Sequence, residues 1–278
     1  MLTDYHTHLR PDALDATAEE SFTEQNVRRY LDAASRRGIG ELGFSEHVYR
    51  FREALDIWRH PFWRENAVDD LDSYCDFVQA MKRSGYPVKL GLEVDYIPGK
   101  EDRITALIEG RPFDYVIGSV HFIADRAVDH EGYDAWRRAD ADAVWTEYFQ
   151  AIGAAAESRL FDILAHPDLV KVWGKERPRP SRGARAFYEL AMDGIAKSSV
   201  AIEVSTAGLR KPVGEIYPSR ALLDMCLAAG CPVALSSDAH EPDHIGYEYE
   251  QAVQFLREAD VSRLSVFEQR HRRDEPLA

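Results

Sequence analysis

The sequence predicts an α/β barrel of about seven strand–helix units, with a metal site at one end. Three observations lead there. Short apolar runs alternate with longer segments of helical period, the signature of repeated βα units. The strand runs are continuously apolar rather than alternating, as expected of parallel strands covered on their outer face by helices. Imidazoles and carboxylates stand at the ends of those runs, where barrels of this class build their active sites. No dinucleotide-type Gly-rich turn occurs, which favours a barrel over a doubly wound sheet.

Strands are predicted near residues 2–6, 41–45, 89–94, 114–120, 162–166, 200–205 and 232–237. Helices are predicted over 23–37, 70–84, 101–109, 140–158, 181–197, 219–229 and 247–259. Their limits carry the expected signals: Gly38, Gly85, Gly110 and Gly230 follow helices, and Ser181 and Ser219 precede them. The 278 residues read as one domain, with a core over about 2–260 and a C-terminal tail over 261–278. Hydrophobic residues make up 45%, enough for a sizeable core.

The charge balance is 34 basic residues against 48 acidic, a net of −14. A nucleic-acid partner would call for a basic surface, so that class is disfavoured. Cys75, Cys226 and Cys231 form no CxxC pair, which argues against a disulfide framework or a thiolate zinc site and fits a reducing cytoplasm. The first candidate ligand is residue 6, where a secretory signal would lie, and no apolar run approaches membrane-spanning length. A soluble cytoplasmic protein without a membrane partner is expected.

Three connections on the predicted active-site face are too distinctive for plain linkers. Residues 48–69 carry Tyr49, Phe51, Trp58, Phe62 and Trp63 around Pro61. Residues 122–139 directly follow a ligand-bearing strand. Residues 171–185 hold six basic residues and one acid. They are expected to supply a pocket wall, a lid and an anion-steering edge, respectively.

The ligand candidates arise motif by motif. His6-Thr7-His8 places two imidazoles on one side of an extended chain; alone, such a pair is also compatible with two polar residues at a strand mouth. Glu93 ends an apolar run, and a carboxylate can bridge two cations where a neutral imidazole cannot. Asp95 follows two residues later. His47, His121 and His166 each end a run, and Asp238-Ala239-His240 adds one oxygen and one nitrogen on the same side of a strand. Singly each is weak, but jointly they call for a metal cluster. His and carboxylate donors without thiolate suit zinc, manganese or iron. His60, His130, His244 and His271 lack the strand-end context and read as surface residues, His244 lying nearest the mouth.

These motifs resemble one family. His6-x-His8, Ser45-Glu46-His47, Gly91-Leu92-Glu93, Ser119-Val120-His121, Ala165-His166-Pro167-Asp168 and Ser237-Asp238-Ala239-His240 occur in the order seen in the polymerase and histidinol phosphatase (PHP) family. The stretch from Ile202 through Thr206-Ala207-Gly208-Leu209-Arg210-Lys211 to Pro218 resembles its histidinol-phosphatase branch. The resemblance implies a distorted (β/α)7, TIM-like barrel holding two to three divalent metal ions. It places His6, His8, Glu93 and Asp238 around the first metal, with Glu93 bridging to a second held by His121 and His166. A third takes His47, His240 and a residue shortly after His8. Many relatives use histidine there; this chain has none, and Asp12 is the substitute. Glu93, Asp238 and His240 are the residues expected to be catalytic.

The activity implied is hydrolysis of L-histidinol phosphate, a step of histidine biosynthesis. Divalent cations suit such chemistry because they generate hydroxide from water at neutral pH and neutralise phosphoryl oxygens. No cysteine is followed six residues later by Arg, so a cysteine-phosphatase loop is excluded. Asp140-x-Asp142-x-Val144 formally matches an aspartyl-phosphate motif but opens a predicted helix. Arg210, Lys211 and Lys171 are candidates to grip phosphate, and Glu203, Asp168 or Glu215 to receive a cationic substrate group. Competing readings are a family phosphoesterase acting on another small phosphomonoester or nucleotide, a non-catalytic metal-binding module, and an amidohydrolase barrel. The module should lack ligands or carry extra domains. The amidohydrolase would commonly need a Lys at a strand end, and no strand ends in Lys.

Overall fold

The computed structural model describes residues 1–13, 15–137 and 140–277. In chain order the elements are β1 (Leu2–Asp4), α1 (Ala18–Ser21), α2 (Glu24–Arg36), β2 (Ile39–Phe44), α3 (Pro61–Asn66), α4 (Leu71–Arg83), β3 (Val88–Asp95) and α5 (Glu101–Ile108). There follow β4 (Tyr115–Ser119), β5 (Phe122–Ile123), β6 (Arg126–Ala127), α6 (Ala141–Glu157), β7 (Ile163–Leu164), α7 (Arg185–Ala196) and β8 (Ala201–Ser205). The chain ends with α8 (Arg220–Ala228), β9 (Val233–Ser236), α9 (Tyr249–Glu258), β10 (Arg263–Glu268) and β11 (His271–Pro276). All seven expected strands are present, within a few residues of their expected limits. Helix starts obey capping chemistry: the Thr23, Asp70 and Asp140 side chains accept backbone N–H groups of the first turns.

The seven strands pair in parallel in the order β1-β2-β3-β4-β7-β8-β9. The two ends of the sheet meet beyond β1 and β9. His8 N donates to Ala239 O (2.7 Å), Ala239 N donates to His6 O (3.1 Å), and Thr7 bridges Ala239 in parallel. This closure matters chemically, because side chains alternate along extended chain. Pairing Thr7 with Ala239 aligns their neighbours, His6 and His8 on one strand end and Asp238 and His240 on the other. A second bridge, His47 with Glu93, does the same between β2 and β3, where Glu93 N donates to Glu46 O (3.0 Å).

Opposite the site, the barrel interior is filled by Tyr5, Tyr115, Ile117, Ile163, Val266 and Phe267, all buried. Tyr115 crosses the barrel and donates to Tyr5 O (2.6 Å). The glycines of Leu42-Gly43-Phe44 and Leu90-Gly91-Leu92 exist for this ring: a Cβ on Gly43 or Gly91 would lie 2.2 or 2.3 Å from Tyr115 side-chain atoms.

The expected C-terminal tail is a structural element instead. β10 and β11 form an antiparallel hairpin, and Val266 and Phe267 plug the barrel floor, with Phe267 N donating to Tyr5 Oη (3.3 Å). Its outer strand is polar, so the helix-period search passes over it. Phe267→Ala is expected to lower the unfolding free energy by about 3–5 kcal/mol. Chemical denaturation checks this; a residue in a true tail would change stability by no more than about 0.5 kcal/mol.

Candidate metal centre

The strand ends converge on Glu93. Its Oε2 lies 3.3 Å from His6 Nε2 and 3.7 Å from His8 Nε2, and His47 Nδ1 contacts the same oxygen. Its Oε1 faces the other side, 3.5 Å from His121 Nε2 and 3.4 Å from His166 Nε2. One carboxylate therefore separates two groups of imidazoles, the geometry of a bridging ligand. Asp238 Oδ1 joins the first group, 3.7 Å from His6 Nε2, 3.5 Å from His8 Nε2 and 3.6 Å from His240 Nδ1. Within 4.8 Å of one another lie the donor atoms of three sets: His6, His8 and Asp238; His6, Glu93 and His166; and His8, His47 and His240. The first set lies within the expected first group, whereas the second joins His6 of that group to Glu93 and His166 of the expected second. In the third, His8 stands with His47 and His240, its ring stacked between theirs at 4.1 and 4.2 Å.

Asp12, the expected substitute, lies beside this third set, with Oδ2 3.2 Å from His240 Nε2. Its other oxygen accepts from Arg50 Nη2 (2.6 Å). It is thus within reach of the cluster but shared with a guanidinium.

These residues fit divalent cations on a test internal to the chain. His6 Nε2, both ring nitrogens of His8, both Glu93 oxygens, His166 Nδ1 and Asp238 Oδ1 are buried without a hydrogen-bond partner among the described residues. A buried polar atom left unsatisfied costs about 1–3 kcal/mol, and more when charged. Such a concentration of unsatisfied atoms makes sense where these residues serve as ligands, each imidazole offering one nitrogen. The backbone is consistent: His166 (φ 22°) and Asp238 (φ 52°) both sit at positive φ, where non-glycine residues are uncommon and cluster at functional sites.

A supporting layer orients the ligands. His6 Nδ1 bonds Glu203 Oε1 (2.8 Å) and His121 Nδ1 bonds Asp95 Oδ1 (2.7 Å). A carboxylate accepts, so each Nδ1 carries the proton and each Nε2 lone pair points inward. Glu203 also accepts from His166 N (2.6 Å) and Ser236 Oγ (2.5 Å). It is fully buried, so the expected role in receiving a substrate cation gives way to a positioning one.

Sequence reasoning passed over two further supports. Asp4 accepts from Ser237 N (2.9 Å), Ser237 Oγ (2.5 Å) and Gly246 N (3.0 Å), anchoring the Asp238 corner; burial pushes its carboxyl up to about 6. Glu46 accepts from Leu9 N (2.6 Å), Arg10 N (3.2 Å) and Arg50 Nη1 (2.9 Å), fixing the turn after His8. Their signal was present: a charged residue inside an apolar strand run is paired or functional.

Electrostatics separates the ligands. Burial opposes ionisation of Glu93, yet His47, His6 and His121 outweigh it and hold the carboxyl well below its usual range. Asp238 is depressed likewise, burial being overcome by His6 and His8. Burial, reinforced by His47, keeps His8 well below the ordinary imidazole value, and burial lowers His240 to about 4. Burial disfavours charge on His121 too, but Asp95 and Glu93 reverse the balance and raise it to about 10.

The cluster opens into a cavity of about 290 Å³. Tyr49 and Phe62 from the 48–69 connection form its aromatic wall with Phe122 and Trp173, and Lys211 stands at its edge. Arg210 does not line it; its Nη2 donates to Ser237 O (2.8 Å) and Asp238 O (2.9 Å), clamping that corner. Lys171 is occupied by Asp168 (3.0 Å), Glu215 (3.1 Å) and Ile216 O (3.1 Å). Within the expected anion-steering edge, Arg177 is likewise held in the fold, pairing with Asp134 (2.9 Å) and covering Trp173. Of the four histidines read as surface residues, His60 is buried and caps α3, accepting from Phe62 N (3.2 Å). His130 is exposed at the cavity mouth.

A parallel barrel with imidazoles and carboxylates gathered at its strand C-termini is the architecture of a metal-dependent hydrolase. The chain belongs to the PHP domain family, which matches residues 4–207. It is 34% identical over 254 residues to the "Probable histidinol-phosphatase" of Deinococcus radiodurans, covering 90% of this chain and 92% of the relative. It is 26% identical to the "Histidinol-phosphatase" of Bacillus subtilis, covering 82% and 92%. The fold is similar to the crystal structure of histidinol phosphate phosphatase from Lactococcus lactis complexed with zinc, L-histidinol and phosphate, with a TM-score of 0.75, 20% identity and 98% of each chain covered. Among the described residues no helix is long and apolar enough to cross a membrane.

Asp95→Asn is expected to weaken metal binding by about 10–100-fold, measured by competition with a chelating dye. In chelator-treated protein the Asp95–His121 pair favours the folded state while His121 is protonated. The stability gap between wild type and Asp95→Asn should be full below about pH 6.5 and close as pH rises to about 10.

Proposed function

We propose that this chain is a metal-dependent phosphomonoesterase that hydrolyses L-histidinol phosphate to L-histidinol and phosphate. The observation that carries the proposal is the carboxylate-bridged cluster of inward-facing imidazole nitrogens, opening on a cavity sized for a small ester. The histidinol-phosphatase names of relatives aligned over most of the chain support the substrate. Two to three zinc, manganese or iron ions are proposed, held by His6, His8, Glu93 and Asp238, by Glu93, His121 and His166, and by His47, His240 and Asp12.

When bound, such ions acidify water and neutralise phosphoryl oxygens. The chain's own groups do the rest. Glu93 and Asp238 stay ionised because the surrounding imidazoles hold their pKa values down. His8 and His240, depressed by burial, offer neutral nitrogens at physiological pH. Lys211 supplies a cation at the cavity edge for phosphate, while Tyr49, Phe62 and Trp173 wall off water from the organic part.

Metal-replete protein should release phosphate from L-histidinol phosphate at least about tenfold faster, by kcat/KM, than from a panel of other phosphomonoesters. Activity on the panel without that preference would leave a phosphoesterase of other specificity. Glu93→Ala should lower kcat by about 10³-fold or more with the fold intact by circular dichroism. Asp12→Ala should weaken the third ion about tenfold, and unchanged metal content and turnover would remove Asp12 from the ligand set.

A further inference from the structure

One wall of the cavity carries a carboxylate with no hydrogen bond or ion pair among the described residues, although its charge adds to those that raise the neighbouring His121. Asp129 follows the small β5–β6 hairpin that leaves strand-end His121, and it lines the cavity beside that histidine and the aromatic wall. Its backbone is held firmly. Val128 N donates to His121 O (2.8 Å), closing the hairpin, and Val128 O accepts from both Trp136 Nε1 (3.2 Å) and Trp173 Nε1 (2.7 Å). Two indoles thus fix the residue just before Asp129, while the Asp129 carboxylate itself has no hydrogen-bond or ion-pair partner among the described residues. The other acids at the site are engaged: Asp95 with His121, Glu203 with His6, Asp12 with Arg50. Of the nearby cations, Lys171 is engaged with Asp168 and Arg177 with Asp134, whereas Lys211 lines the same cavity and is left for phosphate.

A carboxylate on a rigid mount, without a partner and sharing its cavity with the rings of Phe62, Phe122 and Trp173, is complementary to an organic cation. The carboxylate supplies charge and hydrogen-bond acceptors, and the ring faces favour a cation over a neutral or anionic group. We propose that Asp129 is the specificity-determining residue, binding the protonated amine of the substrate while the phosphate lies at the cluster and Lys211. The inference rests on the phosphomonoesterase reading and adds to it the residue that recognises the positive charge of the ester's alcohol. The selectivity follows from desolvation. A cationic group entering the cavity gains Asp129 as a partner, whereas an uncharged group buries the carboxylate with nothing to offset its lost hydration.

The test compares metal-replete wild type, Asp129→Asn and Asp129→Ala on L-histidinol phosphate, its N-acetyl derivative, ethanolamine phosphate and propyl phosphate. In wild type each ester bearing a free amine should exceed its uncharged counterpart in kcat/KM. Asp129→Asn should lower kcat/KM for the amine-bearing esters by about 10–100-fold, leaving the N-acetyl and propyl esters within about twofold. Calorimetric binding of L-histidinol should weaken by a similar factor. An equal loss on all four esters would make Asp129 a structural or electrostatic support of His121 and overturn the proposal. Unchanged kinetics on all four would overturn it as well. If wild type fails on L-histidinol phosphate but prefers ethanolamine phosphate to propyl phosphate through Asp129, the histidinol reading falls and the cation site stands.

Discussion

Everything at the mouth of this barrel answers to one constraint: Glu93 is a buried carboxylate ringed by five imidazoles. Neither of its oxygens has a hydrogen bond among the described residues, yet His6, His8, His121 and His166 bring ring nitrogens within 3.3–3.7 Å and His47 comes closer still. Packing so many donors around one anion, away from water, is unfavourable unless their lone pairs share cations. The scaffold must therefore hold them against relaxation. It does so with strands rather than loops, with two parallel bridges that lock neighbouring strand ends in register, and with carboxylates behind the rings.

The support is divided by position. Behind the first group stand Glu203, which bonds His6, His166 N and Ser236, and Asp4, which fastens Ser237 and Gly246. Behind the second stands Asp95. Arg210 completes the corner by donating to two carbonyls around Asp238, helping to hold that residue at positive φ. Several charged residues that a surface reading would hand to substrate are thus consumed in holding ligands. Lys211 and Asp129 differ: both line the cavity, and neither is committed to the scaffold. A polar cluster fully committed to its own support leaves recognition to the few groups that remain unpaired.

The far end of the barrel shows why the cluster can be rigid. Tyr115 spans the interior to Tyr5, Gly43 and Gly91 clear its path, and the β10–β11 hairpin closes the floor with Val266 and Phe267. The strands are pinned at one end by packing and at the other by ligand chemistry. A shift at the floor would be transmitted along the strands to the ligand-bearing ends.

The sequence by itself determined the seven strands, the helices between them and which imidazoles and carboxylates stand at the strand ends. Those features are local: apolar runs, caps, and imidazoles or carboxylates at the ends of six of the strands. Only the tertiary structure decided which residues face which. Glu203 and Arg210 looked available to substrate because a sequence cannot tell a buried charge with partners from one facing a cavity. Asp129 carried no strand-end mark, and its exposure to the site depends on a hairpin bond and two indoles, one of them from the distant Trp173. The C-terminal hairpin was invisible as core because its few inward residues, Leu264, Val266 and Phe267, find their partners on β1 and β9 rather than within their own segment. Long-range closure, not composition, turned the scattered histidines into one site.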